Sequence, residues 1–312
     1  MKIYQLFQMI QDFVEKTEGQ YNEERQYLKL IENILSRGSF ETGRNGNTYS
    51  VFGSSMRFSL ENNRIPLLTT KQLAWKTCLK ELFWFICGDT DNQKLVNQGV
   101  HIWDANSSRS FLDSRGLVDR EEHDLGPIYG FQWRHYNAPY INCNTDYTDK
   151  GIDQLQYIID NLTSNIPEVR NSRRLIMTAW NPCQLNEMAL PPCHVLAQFQ
   201  ITHGNKLSCL LYQRSGDVGL GVPFNIASYS FLTHILAHHC NLEAYEFIYT
   251  LGNSHIYDDH VSPLKEQILR NPYEFPSIKI RNHHANINDY TMEDFEIINY
   301  KYHPKIPMNM RS

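Results

Sequence analysis

Six apolar residues near the amino end, Ile3, Leu6, Phe7, Ile10, Phe13 and Val14, recur at the spacing of one helical face. The polar stretch "TEGQYNEER" separates them from a second stripe, Leu28, Ile31, Ile34 and Leu35, with Gly38 as its stop. "ETGRNGNTYSVFG" is rich in loop residues and carries Asn-Gly turn chemistry. "KQLAWKTCLKELFWFICG" predicts a largely buried helix carrying Lys71, Lys80 and Glu81, and "GIDQLQYIIDNLTSN" an amphipathic one. Residues 104–127 and 134–151 are polar and irregular, the pattern of surface loops. "RRLIMTAW" leads to two strands, then come a long helix from about Ile226 to Cys240, a strand at "EFIYTLGNSHIY" and a helix at "HVSPLKEQILR". No repeat and no dividing linker interrupts this order, which predicts one mixed helix–sheet domain.

The two strands carry the first chemistry. Val195, Ala197, Phe199 and Ile201 alternate with His194, Leu196, Gln198 and Gln200, and "KLSCLLYQRS" follows the turn signal "HGN". A hairpin turn centred between His203 and Gly204 puts Cys193 opposite Arg214, with β-carbons roughly 4.5–5.5 Å apart. A guanidinium there favours the thiolate, the nucleophilic form of a group whose free pKa is about 8.5. His194 points to the opposite face, so it is not the base for Cys193. The alternative is a small buried strand cysteine.

Composition narrows the class. A net charge of −5 over 312 residues argues against a general nucleic-acid or membrane surface. The seven cysteines are odd in number, scattered and without a CxxC pair, so a reducing compartment is the simpler expectation, and Asn106-Ser-Ser and Asn161-Leu-Thr are chance sequons. No apolar run is long enough to span a membrane, and the amino end lacks a signal-peptide core. His234 and His238 share a helical face but lack the glutamate of HExxH and a third ligand, so no metal is expected. "GDVGLGV" lacks dinucleotide spacing and suits close approach of backbone to a ligand.

"LPPCH", "LLYQRSGDVGLGVPFNIASY", "GPIYGFQWRH" and "HIYDDHVSPL", with "ELFWFICGDT", "IWDAN", "SRRLIM" and "TTK", together resemble the thymidylate synthase family from about Tyr27 to Met310. The stretch "SSRSFLDSRGLVDREEHDLGP" is similar to the eukaryotic branch. The resemblance implies an α+β single domain over residues 21–312, with a mixed, bulged sheet as dimer interface and helices on its other face. Residues 1–20 are expected to form an extra amphipathic helix outside it.

The implied reaction is reductive methylation of dUMP to dTMP, with 5,10-methylenetetrahydrofolate as co-substrate and no metal. By resemblance the catalytic set is Cys193 as nucleophile with Glu81, Arg214, Asn225, Tyr129 and Asp217. The dUMP set is Arg44, Arg173, Arg174, Cys193, His194, Gln213, Arg214, Ser215, Asp217, Asn225, His255 and Tyr257. The folate set is Ile102, Trp103, Asn106, Asp217, Leu220, Gly221, Phe224 and Met310. Here the glycine-rich loop departs from the family: "TGRNGNT" puts the usual arginine position on Gly43, and Arg44 takes its role. Without the resemblance, Asn225 reads as a helix N-cap before "IASYSFL". Arg173 and Arg174 are implied to reach from the partner of a homodimer with shared sites. A cytoplasmic, or additionally nuclear, location is expected. Two alternatives keep the fold but change the function: a deoxypyrimidine-nucleotide hydroxymethylase, which Asn225 opposes because relatives preferring cytosine carry aspartate there, and an inactive nucleotide- or RNA-binding homologue. The tail ends in Arg311-Ser312 where the family has a small apolar residue.

Overall fold

The computed structural model describes residues 22–43 and 45–311, so the expected helix over 1–20 and Arg44 lie outside the described residues. Helix α1 (Arg25–Arg37) buries Tyr27, Leu28, Leu30, Ile31 and Ile34 on one face. Gly38 does end it, but with φ −64; a Cβ there would lie 2.5 Å from the Ile34 carbonyl oxygen, so close packing rather than a left-handed backbone requires the glycine.

The segment expected as loop after it is a β-hairpin. Strands β1 (Ser39–Gly43) and β2 (Gly46–Ser59) pair antiparallel from Ser39↔Ser50 to Gly43↔Gly46. The Asn-Gly turn was legible, but β1 is wholly exposed and offers no apolar alternation. Helix α2 (Trp75–Ile86) starts four residues after Lys71, which therefore precedes the helix instead of riding on it. Residues 104–127 are not all loop: they hold short helices at Asp104–Ser107 and Arg109–Ser114. Helices α3 (Tyr129–His135) and α4 (Gln154–Leu162) follow, then β3 (Ile176–Thr178), β4 (His194–Thr202) and β5 (Lys206–Asp217).

Helix α5 (Gly221–His239) begins five residues before Ile226, with Pro223 tolerated in its first turn. It is buried along nearly its whole length, as a helix apolar on all sides must be. Strand β6 (Glu243–Tyr257), helix α6 (Val261–Gln267) and a small β7–β8 pair (Ser277–Ile280, Phe295–Ile298) complete the chain.

The main sheet has the order β1-β2-β6-β5-β4-β3. It is antiparallel except between β5 and β6, which run parallel with α5 as the connection. Two rows of side chains cross it on the covered face: Phe199, Cys209, Phe247, Phe58, and then Ala197, Leu211, Tyr249, Met56. All eight are buried, beneath α5 and α1. The alternate rows, Gln198, Leu210, Ile248, Arg57 and Leu196, Tyr212, Thr250, Ser55, face the other way and are half-buried or exposed. The register shifts between His194 and Leu196, and again near Ser208, give the bulges expected of this sheet.

Helices α2 and α3 touch at a glycine. A Cβ on Gly130 would lie 2.6 Å from the Phe85 carbonyl oxygen and 2.8 Å from the Phe85 Cα. Gly130→Ala should force the pair apart and cost about 1–3 kcal/mol of stability. Urea unfolding checks this; an unchanged midpoint and slope would show that the two helices relax freely.

Candidate active site

Cys193 faces Arg214, although the hairpin reaches this pairing by another route than the expected turn. The turn is a three-residue loop with Thr202 opposite Lys206, and His203 and Gly204 adopt φ +49 and +86. From there to Leu196↔Tyr212 the pairing runs one residue out of the expected register. The bulge at Val195 then restores it, giving His194↔Gln213 and a 2.9 Å bond from the Arg214 N–H to the Cys193 carbonyl.

The prolines explain themselves at this point. Arg214 donates from Nε to the Pro192 carbonyl (2.9 Å) and from Nη2 to the Pro191 carbonyl (2.9 Å), and its guanidinium lies 5.6 Å from the Trp180 ring centre. Prolines have no N–H and a fixed φ, so this stretch offers acceptors on a stiff backbone. The Cys193 N–H donates to the Tyr129 hydroxyl oxygen at 2.8 Å. The cysteine backbone is thus held from both sides, and the residue stays half-buried.

Tyr129 opens α3 and connects this corner to Glu81. Its ring packs at 5.0 Å from Phe85, 6.0 Å from Trp103 and 5.0 Å from His194. Trp103 donates its indole N–H to Glu81 Oε1 at 2.7 Å. Burial pushes the Glu81 carboxyl up to about 7, and the tryptophan bond only partly opposes it. Lys80 gives no relief, since it reaches the Gln98 carbonyl instead. Asn106 is buried with an Nδ2 that has no partner among the described residues, and Ile102, next to Trp103 in sequence, is half-buried. His194 is buried against Tyr129 and Tyr229; burial lowers its pKa to about 4, offset only in part by Asn225, so the ring is neutral at pH 7.

A second group gathers where β5, α5 and β6 meet. Gln213 donates from Nε2 to the Ser215 carbonyl (2.8 Å) and to Asn225 Oδ1 (3.1 Å), while its own oxygen accepts from the Tyr249 hydroxyl (2.7 Å). The Ser215 carbonyl only accepts, so it fixes the sense of the Gln213 amide. Asn225 is therefore no N-cap: it is the fifth residue of α5, with its side chain bonded across to β5. Asp217 Oδ1 accepts from the Gly219 N–H at 2.8 Å and lies 3.6 Å from His260 Nδ1. Gly219 has no room for a side chain: a Cβ would sit 2.6 Å from that same nitrogen. Leu220, Gly221 and Phe224 continue this segment into α5, all half-buried.

His255 and Tyr257 share one face of β6, ring centres 5.2 Å apart, alongside Asp217 through the pairing Asp217↔His255. Burial lowers the His255 pKa, with Asp217 opposing.

Two expected members stand elsewhere, and a third, Met310, is exposed. Arg173 and Arg174 are exposed in the turn before β3, where the Arg174 N–H bonds Ser172 and the Arg173 carbonyl accepts from Gln198. They line a 490 Å³ depression with Tyr157, Asn161 and Glu168, away from the residues bonded to Cys193. Met310 is 56% exposed.

Two residues without an assigned role in the sequence join the site. Lys71 is buried, donates to the Gly219 carbonyl, and has its pKa lowered to about 8 by burial, against the pull of Asp217 and Glu24. A lysine inside the apolar run "IPLLTTKQLAW" was the available signal. His260 donates from Nε2 to the Asn309 carbonyl at 2.8 Å. Its burial disfavours the charged ring, but Asp217, the Asn309 carbonyl and Asp259 outweigh this and raise its pKa. Among the described residues, no group of three or more His, Cys, Asp or Glu is placed to hold a metal ion, and no helix is long and apolar enough to cross a membrane.

The family model for thymidylate synthase matches residues 25–312. The chain belongs to the thymidylate synthase family. It is 49% identical over 303 residues to a thymidylate synthase of Saccharomyces cerevisiae, covering 94% of this chain and 98% of that protein. It is 52% identical over 290 residues to the thymidylate synthase of Human herpesvirus 8, covering 93% and 84%. It is 50% identical over 291 residues to the bifunctional dihydrofolate reductase-thymidylate synthase of Leishmania major, covering 93% of this chain and 55% of that protein. The chain thus spans about half the length of such bifunctional relatives. The family match takes in every described element and fits the mixed α+β fold.

The Glu81 environment has a measurable signature. Unfolded, this carboxyl ionises near 4.5; folded, near 7. Between those values the unfolded chain releases a proton that the folded chain retains, so stability falls as pH rises through the window, by about 3 kcal/mol in full. Glu81→Gln should remove that fall. The difference in urea-unfolding free energy, variant minus parent, should grow by about 3 kcal/mol from pH 4.5 to pH 8. A difference that does not change with pH would contradict the buried, proton-retaining carboxyl.

Proposed function

We propose that this chain carries out the thymidylate synthase reaction, converting dUMP and 5,10-methylenetetrahydrofolate to dTMP and dihydrofolate. The observation that carries the reading is Cys193, held by Tyr129 on one side and paired with Arg214 on the other. Carbon 5 of uracil is a weak nucleophile. Addition of the Cys193 thiolate at carbon 6 pushes the electron pair towards carbon 5 and oxygen 4, which lets carbon 5 attack the one-carbon donor. The carbon-5 proton then leaves as the methylene–nitrogen bond to the folate breaks, giving an exocyclic methylene. Hydride from the tetrahydrofolate so released adds to that methylene and expels the Cys193 thiolate, leaving dTMP and dihydrofolate. The folate supplies both the methylene carbon and the hydride.

The other residues fit supporting roles. Arg214 carries a positive charge at the cysteine and suits phosphate oxygens, as do Arg173, Arg174 and Arg44. With its oxygen turned to Gln213, Asn225 keeps an amide N–H for uracil O4. His255 and Tyr257 serve the ribose hydroxyl, with His194 and Ser215 lining the nucleotide. Glu81, poised near neutrality, suits proton traffic at oxygen 4. Trp103, Tyr129, Ile102, Leu220, Gly221, Phe224, Asp217 and Met310 form the folate side, where the unpartnered Asn106 Nδ2 is a donor suited to a polar ligand.

The working unit is a homodimer packed through the uncovered sheet face, a cytoplasmic protein without a metal. The half-buried Leu196, Leu210, Tyr212 and Ile248 on that face support this, and so does the separation of Arg173 and Arg174 from Cys193 within one chain.

Cys193→Ala should abolish dihydrofolate formation while leaving dUMP binding measurable by calorimetry. Mass spectrometry with 5-fluoro-dUMP and the folate should find the adduct on the Cys193 peptide, and an adduct on another cysteine would overturn the assignment.

Sharing of sites is tested by refolding Cys193→Ala together with Arg174→Glu. With random pairing about half the dimers are mixed and about one quarter of all sites regain an intact set. Activity no greater than the mean of the two variants refolded alone, with mixed dimers seen by native mass spectrometry, would refute it.

A further inference from the structure

The last segment of the chain is a strap without regular secondary structure, tied down along its length. The Tyr300 hydroxyl donates to the Leu68 carbonyl (2.7 Å), the His303 N–H donates to the Thr69 carbonyl (2.7 Å), and Ile306 is buried. The strap then reaches the turn after β6, Asp258–His260. Two ties are made there, one on each side of Met310. Before it, the Asn309 carbonyl accepts from His260 Nε2 (2.8 Å). After it, Arg311 Nη2 lies 2.9 Å from Asp259 Oδ2 and 3.7 Å from Asp258 Oδ1, with its guanidinium 5.8 Å from the Tyr257 ring centre.

We propose that Arg311, with Asp259 and Asp258, is a positioning element: an ion-pair clamp that fixes the strap across the rim of the site and so presents Met310 to the folate. The proposal rests on the functional reading above for the ligand, but the clamp itself rests on geometry. A backbone bond on one side of Met310 and an ion pair on the other hold its main chain while the side chain stays 56% exposed. The turn that receives both ties is wired to the site. Tyr257 precedes it, and His260 sits 3.6 Å from Asp217. Asp258 also accepts from Asn47 Nδ2 (3.3 Å) at the tip of the β1–β2 hairpin, and Arg311 lies 3.8 Å from where a Gly46 Cβ would be. Strap, hairpin tip and the Asp217 loop therefore meet at one acidic turn. Where the family tail has a small apolar residue, this chain has a cation, and the turn beneath holds two carboxylates.

The ion pair is about one third exposed on each side, so its strength depends on ionic strength. The test compares Arg311→Asp, Asp259→Arg, the double swap, and the isosteric Asp259→Asn, at low and high salt. Two readouts are taken: amide hydrogen exchange of residues 307–311, and steady-state dihydrofolate formation. Each single variant should speed exchange in the strap and raise the folate KM by about fivefold, with dUMP affinity within about twofold. The double swap should restore both readouts, and high salt should erase the difference between parent and single variants. Unchanged exchange in the single variants, or no recovery in the double swap, would overturn the clamp. If the parent forms no dihydrofolate, the functional reading fails and the exchange data still decide the clamp.

Discussion

Everything at the site depends on where β4 begins its pairing with β5. The hairpin loop displaces the register by one residue and the bulge at Val195 displaces it back, so that Cys193 and Arg214 meet through a backbone bond. A strand has a side-chain period of two, so an uncorrected slip would send His194 out of its slot between Tyr129 and Tyr229. The Arg214 guanidinium then ties the correction in place, since two of its nitrogens grip the Pro191 and Pro192 carbonyls. One arginine therefore both shapes the loop before the cysteine and brings a positive charge to that loop.

Around this corner the protein keeps polar groups out of water and satisfies most of them with side chains from distant elements. Glu81 has one indole N–H and little else, which is why its proton is held near neutrality. Gln213 is saturated, by Ser215, Asn225 and Tyr249. Lys71 is set by the loop before it, because the buried Glu24 carboxylate accepts from the backbone and hydroxyl of both Thr69 and Thr70, at 2.6–2.8 Å. Removing one partner from such a set leaves the others buried and unpaired, so these residues are coupled and substitutions there will not add simply.

Periodicity made α1, α2, α4 and the β4–β5 hairpin legible, because each turns a clear apolar face to the core. It failed for β1 and the first half of β2: their Ser, Thr, Asn and Gly residues show no apolar alternation, which begins only near Met56 and Phe58. The start of α5 was hidden because "GVPFN" has loop composition, and a helix covered on every side shows no stripe. Cys193 was singled out by the strand pattern that sets it opposite Arg214, and Glu81 and Asn225 were singled out through the family resemblance. Lys71 and His260 were not, because their significance lies in carbonyls they reach across the fold, Gly219 and Asn309, which no local pattern encodes.

The parallel contact between β5 and β6 has a consequence for how the chain is made. Strand β6 lies between β2 and β5, and its pairing with β2 joins segments separated by most of the sequence. During synthesis, the hairpin that begins just after Cys193 emerges while the strand that must lie beside it is still unmade. Until then β2 and β5 each present an open edge, the feature most prone to pair with the wrong chain. High contact order of this kind slows folding, and here it concentrates the delay at the centre of the sheet. The corner around Cys193 thus gains its neighbouring strand late, and the protein's vulnerability to misassembly lies in the interval before β6 arrives.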